Sequence, residues 1–351
     1  MPPKIKRFLL GLLAAFCLPV LAFALLWFSS RGDYSQQETV SSQPALPRIA
    51  FKDTTLHAET FGASHLPPVV VVHDGPGGDY RSLLPLKALS DQHFILFYDQ
   101  RGSGLSERVA DTELTLEQAR QDLAAVIDQH AGTKPVQLLG HGWGGMLAAA
   151  YTAEHPQRVT RLVLAEPGFL NAEMAAQVLF AGQRGASSQL LRTASSWGRS
   201  FHVPAIDPDA RRDFVFGQIR TQAAYYCDQQ LPADLSERSW RGGFRAWKMQ
   251  TQAVVDGQGK IQLDFLKGLD KIQIPVLLLS GECNQITGPR FQSRQQRLFA
   301  RAALRIVPQS SHDLFWEQPE QSLSVVREYL ASGQLPTPAQ PPETTTPQSA
   351  R

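Results

Sequence analysis

Six short apolar runs punctuate the chain: Pro68-Val-Val-Val-Val72, His93 to Tyr98, Val136 to Leu139, Val159 to Leu164, Pro275 to Ser280 and Leu304 to Pro308. Runs without polar alternation predict strands covered on both faces. Between them, Thr115 to Gln129 sets Leu116, Ala119, Leu123, Val126 and Ile127 on one stripe, which predicts an amphipathic helix. Further helices are expected at Arg81 to Ser90, after Gly145, and from Pro319 to Leu330. Ile49 to Phe61 alternates loosely, as a half-buried edge hairpin does. Strands alternating with helices at this spacing predict an α/β fold, a mostly parallel sheet with helices on both faces.

The pattern breaks from Phe169 to Asp270, where scattered aromatics such as Trp197, Tyr225, Tyr226, Trp240, Phe244 and Trp247 replace the apolar runs. A helical cap over residues 169–270 is therefore expected, inserted between two parts of one core, residues 48–168 and 271–331. Residues 29–47 are polar and suit a linker. Residues 332–351 are rich in Pro, Thr and Gln and predict a disordered tail.

The first 28 residues stand apart. Lys4, Lys6 and Arg7 precede an uncharged run from Phe8 to Phe28, long enough to span a bilayer as a helix. Both an uncleaved signal anchor and a signal peptide cut after Ala24 fit, and the apolar residues Leu25 to Phe28 beyond that cut favour the anchor. Either way the positive flank stays inside, so the remaining chain is expected on the extracytoplasmic side, tethered by a single pass or secreted.

Charge adds little, because a formal net charge of +2 over 351 residues points to no nucleic acid or other polyanion. Beyond the N-terminal segment only Cys227 and Cys283 occur. Even in an oxidising compartment two cysteines are no disulfide framework, and a pair and two free thiols fit equally. Neither C-x-x-C nor H-E-x-x-H is present, so no metal and no cofactor is expected.

The chemistry gathers at Val136-Gln-Leu-Leu-Gly-His-Gly-Trp-Gly-Gly145, which reads as strand, sharp turn and helix. Gly140-x-Gly142-x-x-Gly145, with Glu166 about twenty residues on, admits a dinucleotide-binding reading. The same stretch matches the nucleophile elbow G-x-S-x-G at Gly140 and Gly144, but Gly142 holds the place of the serine.

Three further segments carry a resemblance that favours the elbow: Asp99-Gln-Arg-Gly-Ser-Gly-Leu-Ser106, His73-Asp-Gly-Pro-Gly-Gly78 and His312-Asp-Leu-Phe-Trp-Glu-Gln-Pro-Glu320. Together they make residues Ile49 to Leu330 resemble a proline iminopeptidase-type α/β-hydrolase. The resemblance implies a serine nucleophile, a histidine base, an orienting acid and backbone oxyanion donors. His312 matches the base. Asn284, in Gly281-Glu-Cys-Asn284, stands where the family has its aspartate, and Glu166 at the end of the preceding strand either supplies the acid instead or only caps a loop. Gly75 and Trp143 match the amide donors, while Asp74 replaces a glycine; facing the pocket, it would repel an oxyanion. In the family, acids of the cap bind the substrate's amino group, and Asp234 and Glu237 are the candidates. Ser103, Ser310, Ser311 and Cys283 lie near these segments, but none is on the elbow.

Coincident departures at Asp74, Gly142 and Asn284 point to a membrane-tethered pseudoenzyme that holds a small-molecule or peptide ligand in the old pocket. The alternative keeps an aminopeptidase- or esterase-like hydrolase, or a lyase. It would use His312 with a water in the space left by Gly142, or a relocated nucleophile.

Overall fold

The computed structural model describes residues 3–181, 186–221, 223–255, 258–263 and 266–336, with side chains from Ala15 onward and omitting those of residues 179–181 and 186–189. Two compact units share the chain: residues 37–184 with 221–351, and residues 1–36 with 185–220. The stretch expected to form one cap is thus divided between them.

The larger unit is built on eight strands: β1 Arg48–Ala50, β2 Thr55–Phe61, β3 Pro68–Val72, β4 Phe94–Tyr98, β5 Val136–His141, β6 Val159–Ala165, β7 Val276–Gly281 and β8 Ala302–Val307. They lie in the order β1-β2-β4-β3-β5-β6-β7-β8. The pairs β1/β2 and β2/β4 are antiparallel, and every pair from β4 to β8 is parallel. All six residues of β5 and of β7 are buried, as in strands covered on both faces, and the buried Gln137 side chain of β5 donates to the Leu330 carbonyl.

Successive side chains serve opposite faces. Val70, Val72, Leu138, Leu162, Leu164 and Leu278 join one core with helices α2 Leu116–Ala131 and α3 Trp143–Glu154. Val69, Val71, Leu139, Val163, Leu277 and Leu279 join the other, with residues of Tyr80–Asp91 and the closing helix α10 Pro319–Ser332. Each such buried Val or Leu contributes about 1.5–3 kcal/mol, so a polar residue without a partner in place of Leu138 or Leu139 would be costly on either face. Thr115 caps α2 by accepting from the Gln118 amide.

The helix expected at Arg81 to Ser90 is present as Tyr80–Asp91 and winds as a 3-10 helix. Pro85 lies inside it and has no amide to give to an α-helical ladder. The polar stretch before β1 is not a free spacer throughout, since the Val40 amide donates to the Leu105 carbonyl and Val40 is buried. The remaining helices of this unit are α4 Ala172–Ala181, α7 Phe244–Val254, α8 Pro289–Gln296 and α9 Leu314–Glu317. Of the tail expected to be disordered, residues 337–351 lie outside the described residues.

The smaller unit contains α1 Pro3–Ser29, α5 Ala186–Ser200 and α6 Ala210–Ile219. Phe23 of α1 meets Phe201 edge-on and Trp27 meets it tilted, and the His202 ring donates to the Trp27 carbonyl at 3.0 Å. A side chain at Gly198 would stand 2.8 Å from Leu26 Cδ1, so α5 needs glycine there to approach α1. The span expected from Phe8 to Phe28 falls partly outside the described side chains. Among the described residues, no helix is long and apolar enough to cross a membrane.

Candidate active site

Gly142 ends β5 and caps α3 with φ +51°, in the left-handed region that glycine tolerates. A side chain at Gly144 would meet the Val72 carbonyl at 2.2 Å, so the elbow turns tightly against the end of β3. A Cβ at Gly142 would lie on the carboxylate of Asp74, 1.8 Å from Oδ1. The space where a serine would begin is therefore filled by the carboxylate of Asp74, and the water expected there has no room.

Asp74 is held in that place from several sides. Oδ1 accepts from the Trp143 amide at 2.7 Å, and Oδ2 lies 3.2 Å from Nε2 of His312. The loop beneath is fixed by His73, whose Nε2 accepts from the Gln100 amide while Nδ1 donates to the Asp74 carbonyl. The positive end of α3 favours the negative charge. The Trp143 amide that the sequence assigns to an oxyanion already serves Asp74. Gly75 lies on the same turn, where an added Cβ would come 3.6 Å from Trp143 Cδ1.

On the other side of His312, Nδ1 lies 3.7 Å from Glu166 Oε2. Glu166 is fully buried, and its φ of 46° is one of few left-handed values at a non-glycine residue, a conformation that costs about 1–3 kcal/mol. Its carboxylate accepts from the Gly281 amide at 2.5 Å, the Ser280 hydroxyl at 3.0 Å, the Thr287 hydroxyl at 3.1 Å and the Asn284 amide nitrogen. Asn284 thus holds Glu166 and does not face His312. Its own Oδ1 accepts from the amides of Ile286 and Thr287. Of the two expected acids, Glu166 faces the imidazole and Asn284 supports it.

Burial would raise the Asp74 carboxyl, but the hydrogen bond and charge of His312, with His141 and the Trp143 amide, hold it well below the usual carboxylate range. Burial would lower His312, but Asp74 and Glu166 together raise it well above the ordinary imidazole value. The imidazole of His312 thus lies between the carboxyl groups of Asp74 and Glu166. His141 goes the other way, lowered by burial and by the charge of His312. Its Nε2 donates to the His312 carbonyl at 2.9 Å, and Nδ1 has no partner.

The other candidates are placed elsewhere or already engaged. Cys283 forms a disulfide with Cys227 and offers no thiol. Ser310 donates to the Val307 carbonyl and Ser311 to Glu317. Ser103 is buried, with its amide on the Gln100 carbonyl. Asp234 accepts from Arg238 and from the Trp316 indole, and Glu237 is exposed. A dinucleotide is disfavoured as well: a carboxylate already stands at the N-terminus of α3, and Glu166 is enclosed. The sequence sets His141 aside, since a histidine at that place is commonplace in hydrolases with intact serines, and does not single out Ser280 and Thr287, which act through neighbours distant in the chain.

The family model for the alpha/beta hydrolase fold matches residues 67–319. The proline iminopeptidase of Heyndrickxia coagulans is 29% identical over 278 residues, covering 76% of this chain and 91% of that protein. The solved proline iminopeptidase of Mycobacterium smegmatis superposes with a TM-score of 0.57 at 19% identity, over 82% of this chain and 98% of that one. A membrane phospholipase A described as a novel bacterial virulence factor superposes at 0.56 and 21%, over 93% of this chain and 98% of that one. With the parallel sheet, the elbow after β5 and the histidine after β8, these likenesses lead to one conclusion: the chain belongs to the alpha/beta hydrolase fold family and is proline iminopeptidase-like within it.

Proposed function

We propose that this chain is a pseudoenzyme of its family, one that holds a small-molecule or peptide ligand in place of acyl-serine chemistry. The observation that carries the reading is the position of Asp74. Its carboxylate fills the nucleophile's space and takes the Trp143 amide, so a substrate carbonyl would meet negative charge where its own negative charge must develop. Loss of a nucleophilic serine alone costs about a million-fold in the protease where this is best characterised. Here the electrostatic half of the machinery is reversed as well. The alternative, turnover through His312 and a water or relocated nucleophile, is less well supported, because Nε2 of His312 already faces Asp74.

A fluorophosphonate probe is expected to leave the purified full-length chain unlabelled, and aminoacyl and ester substrates to remain intact. The double variant Asp74→Gly/Gly142→Ser clears the clash and is expected to restore weak labelling at residue 142. Gly142→Ser alone is not, since its Cβ would strike Asp74. Robust labelling of the unvaried chain would overturn the reading.

We place the chain at a membrane, with its larger unit on the extracytoplasmic side. Supporting this are the basic residues before α1, the exposed Phe16, Leu18, Leu21, Leu25 and Phe28 along it, and a disulfide that suits an oxidising compartment. The chain is expected to stay in the pellet after alkaline carbonate extraction of membranes. Recovery in the soluble fraction, trimmed after Ala24, would establish the secreted alternative instead.

A further inference from the structure

We propose that the filled nucleophile site is a binding site for a divalent transition-metal ion of the zinc type, held by Asp74, His141 and His312. A nitrogen of each histidine and a carboxylate oxygen of Asp74 all lie within 4.8 Å of one another. Ligands about 2.0–2.2 Å from a tetrahedral zinc are separated by roughly 3.3–3.6 Å, so closing the set needs side-chain movements on the order of 1 Å. Two histidines and one carboxylate suit zinc, cobalt or ferrous iron, and suit calcium or magnesium poorly.

The strongest observation is His141. It is 1% exposed, and its donation from Nε2 to the His312 carbonyl leaves Nδ1 with a lone pair and no partner. A buried polar atom without a partner is costly, and a cation at this point would satisfy it. The outer groups also fit a metal centre, where ligating histidines present their far nitrogen to a carboxylate or a carbonyl. His141 presents Nε2 to the His312 carbonyl, and His312 presents Nδ1 toward Glu166. Glu166 is fixed in turn by Gly281, Ser280, Thr287 and Asn284, and Asp74 keeps the Trp143 amide on Oδ1. His312 and Asp74 are partly exposed, so a fourth position is open to solvent or to a ligand bearing an anionic oxygen or sulfur. The inference uses the same pocket as the proposed function but does not require the loss of acyl chemistry.

The full-length chain in detergent, stripped with a chelator, is titrated with Co²⁺ and Zn²⁺ by calorimetry and by the visible absorption of cobalt. Saturable binding with a ligand-field band is expected, with a higher melting temperature in Zn²⁺ and no competition from excess Mg²⁺ or Ca²⁺. His141→Ala and Asp74→Asn are each expected to weaken binding by more than about 10-fold, and Glu166→Gln by about 10–100-fold through His312. His65→Ala, at an exposed histidine, should bind as the unvaried chain does. Failure of the unvaried chain to bind, or unchanged affinity in folded His141→Ala and Asp74→Asn, would overturn the site. Because probe labelling and metal binding are read separately, a chain that binds cobalt yet labels with fluorophosphonate would refute the proposed function alone.

Discussion

After the neighbouring strands β3 and β4 the chain sets an aspartate against a histidine twice. Asp74 meets His312 at 3.2 Å, and Asp99 meets His57 at 2.8 Å. Both carboxylate oxygens of Asp99 and its carbonyl have partners. Oδ2 also accepts from the Leu105 amide, Oδ1 accepts from the Tyr80 amide, and the Asp99 carbonyl accepts from Ser106. His57 stacks on Tyr80, and Tyr80 donates to Glu59. Around Asp74 the accounts stay open: the Nδ1 atoms of His141 and His312 have no hydrogen-bond partner, and the Asp74 side chain is 29% exposed. A closed polar network specifies a fold, whereas unsatisfied, partly accessible groups mark a place prepared for something else. The turn most characteristic of the family is therefore scaffold, and the altered one is the site.

The largest expected effect tests the scaffold half. Asp99→Ala strands the Tyr80 and Leu105 amides and the His57 ring in a fully buried place, and should destabilise the larger unit by about 3–5 kcal/mol in urea denaturation. Asp74→Asn, where water can reach the partners left behind, should cost less than about 1 kcal/mol. Comparable losses from the two would erase the distinction drawn between them.

The same contrast governs what the sequence could tell. The strands were legible because a segment buried on both faces has to be apolar throughout, as Val69 to Val72 and Leu277 to Leu279 are. The positions of Gly142, His312 and Glu166 were legible because each follows a strand end. What Asp74 does was not, since its direction depends on space that opens only when residue 142 lacks a side chain. The two changes, one losing a side chain and one gaining it, are 68 positions apart by their own numbering, and they make sense only as a pair. Asn284 misled for a related reason: its slot suggests His312, but the buried charge of Glu166 offers a stronger acceptor for its amide.

An effect smaller than that of Asp99→Ala is expected at the disulfide, and it sharpens the comparison by acting on one region only. Cys227 and Cys283 are separated by 56 residues, and closing a loop of that length stabilises by about 2–4 kcal/mol through the unfolded chain. Cys283 adjoins Asn284, which holds Glu166. The turn that carries Cys227 is also fastened by the Gln285 amide on the Ala224 carbonyl and the His312 amide on the Tyr225 carbonyl. Releasing the bond in Cys227→Ser/Cys283→Ser frees both the acid loop and the loop of the imidazole at once. Hydrogen exchange should therefore rise at Ala223 to Cys227, Gly281 to Thr287 and Ser311 to His312, while Asp99 to Ser106 keeps its protection. Exchange rising equally in the Asp99 turn would mean that the two regions open together, and that the closed network is no more independent of the site than its neighbours are.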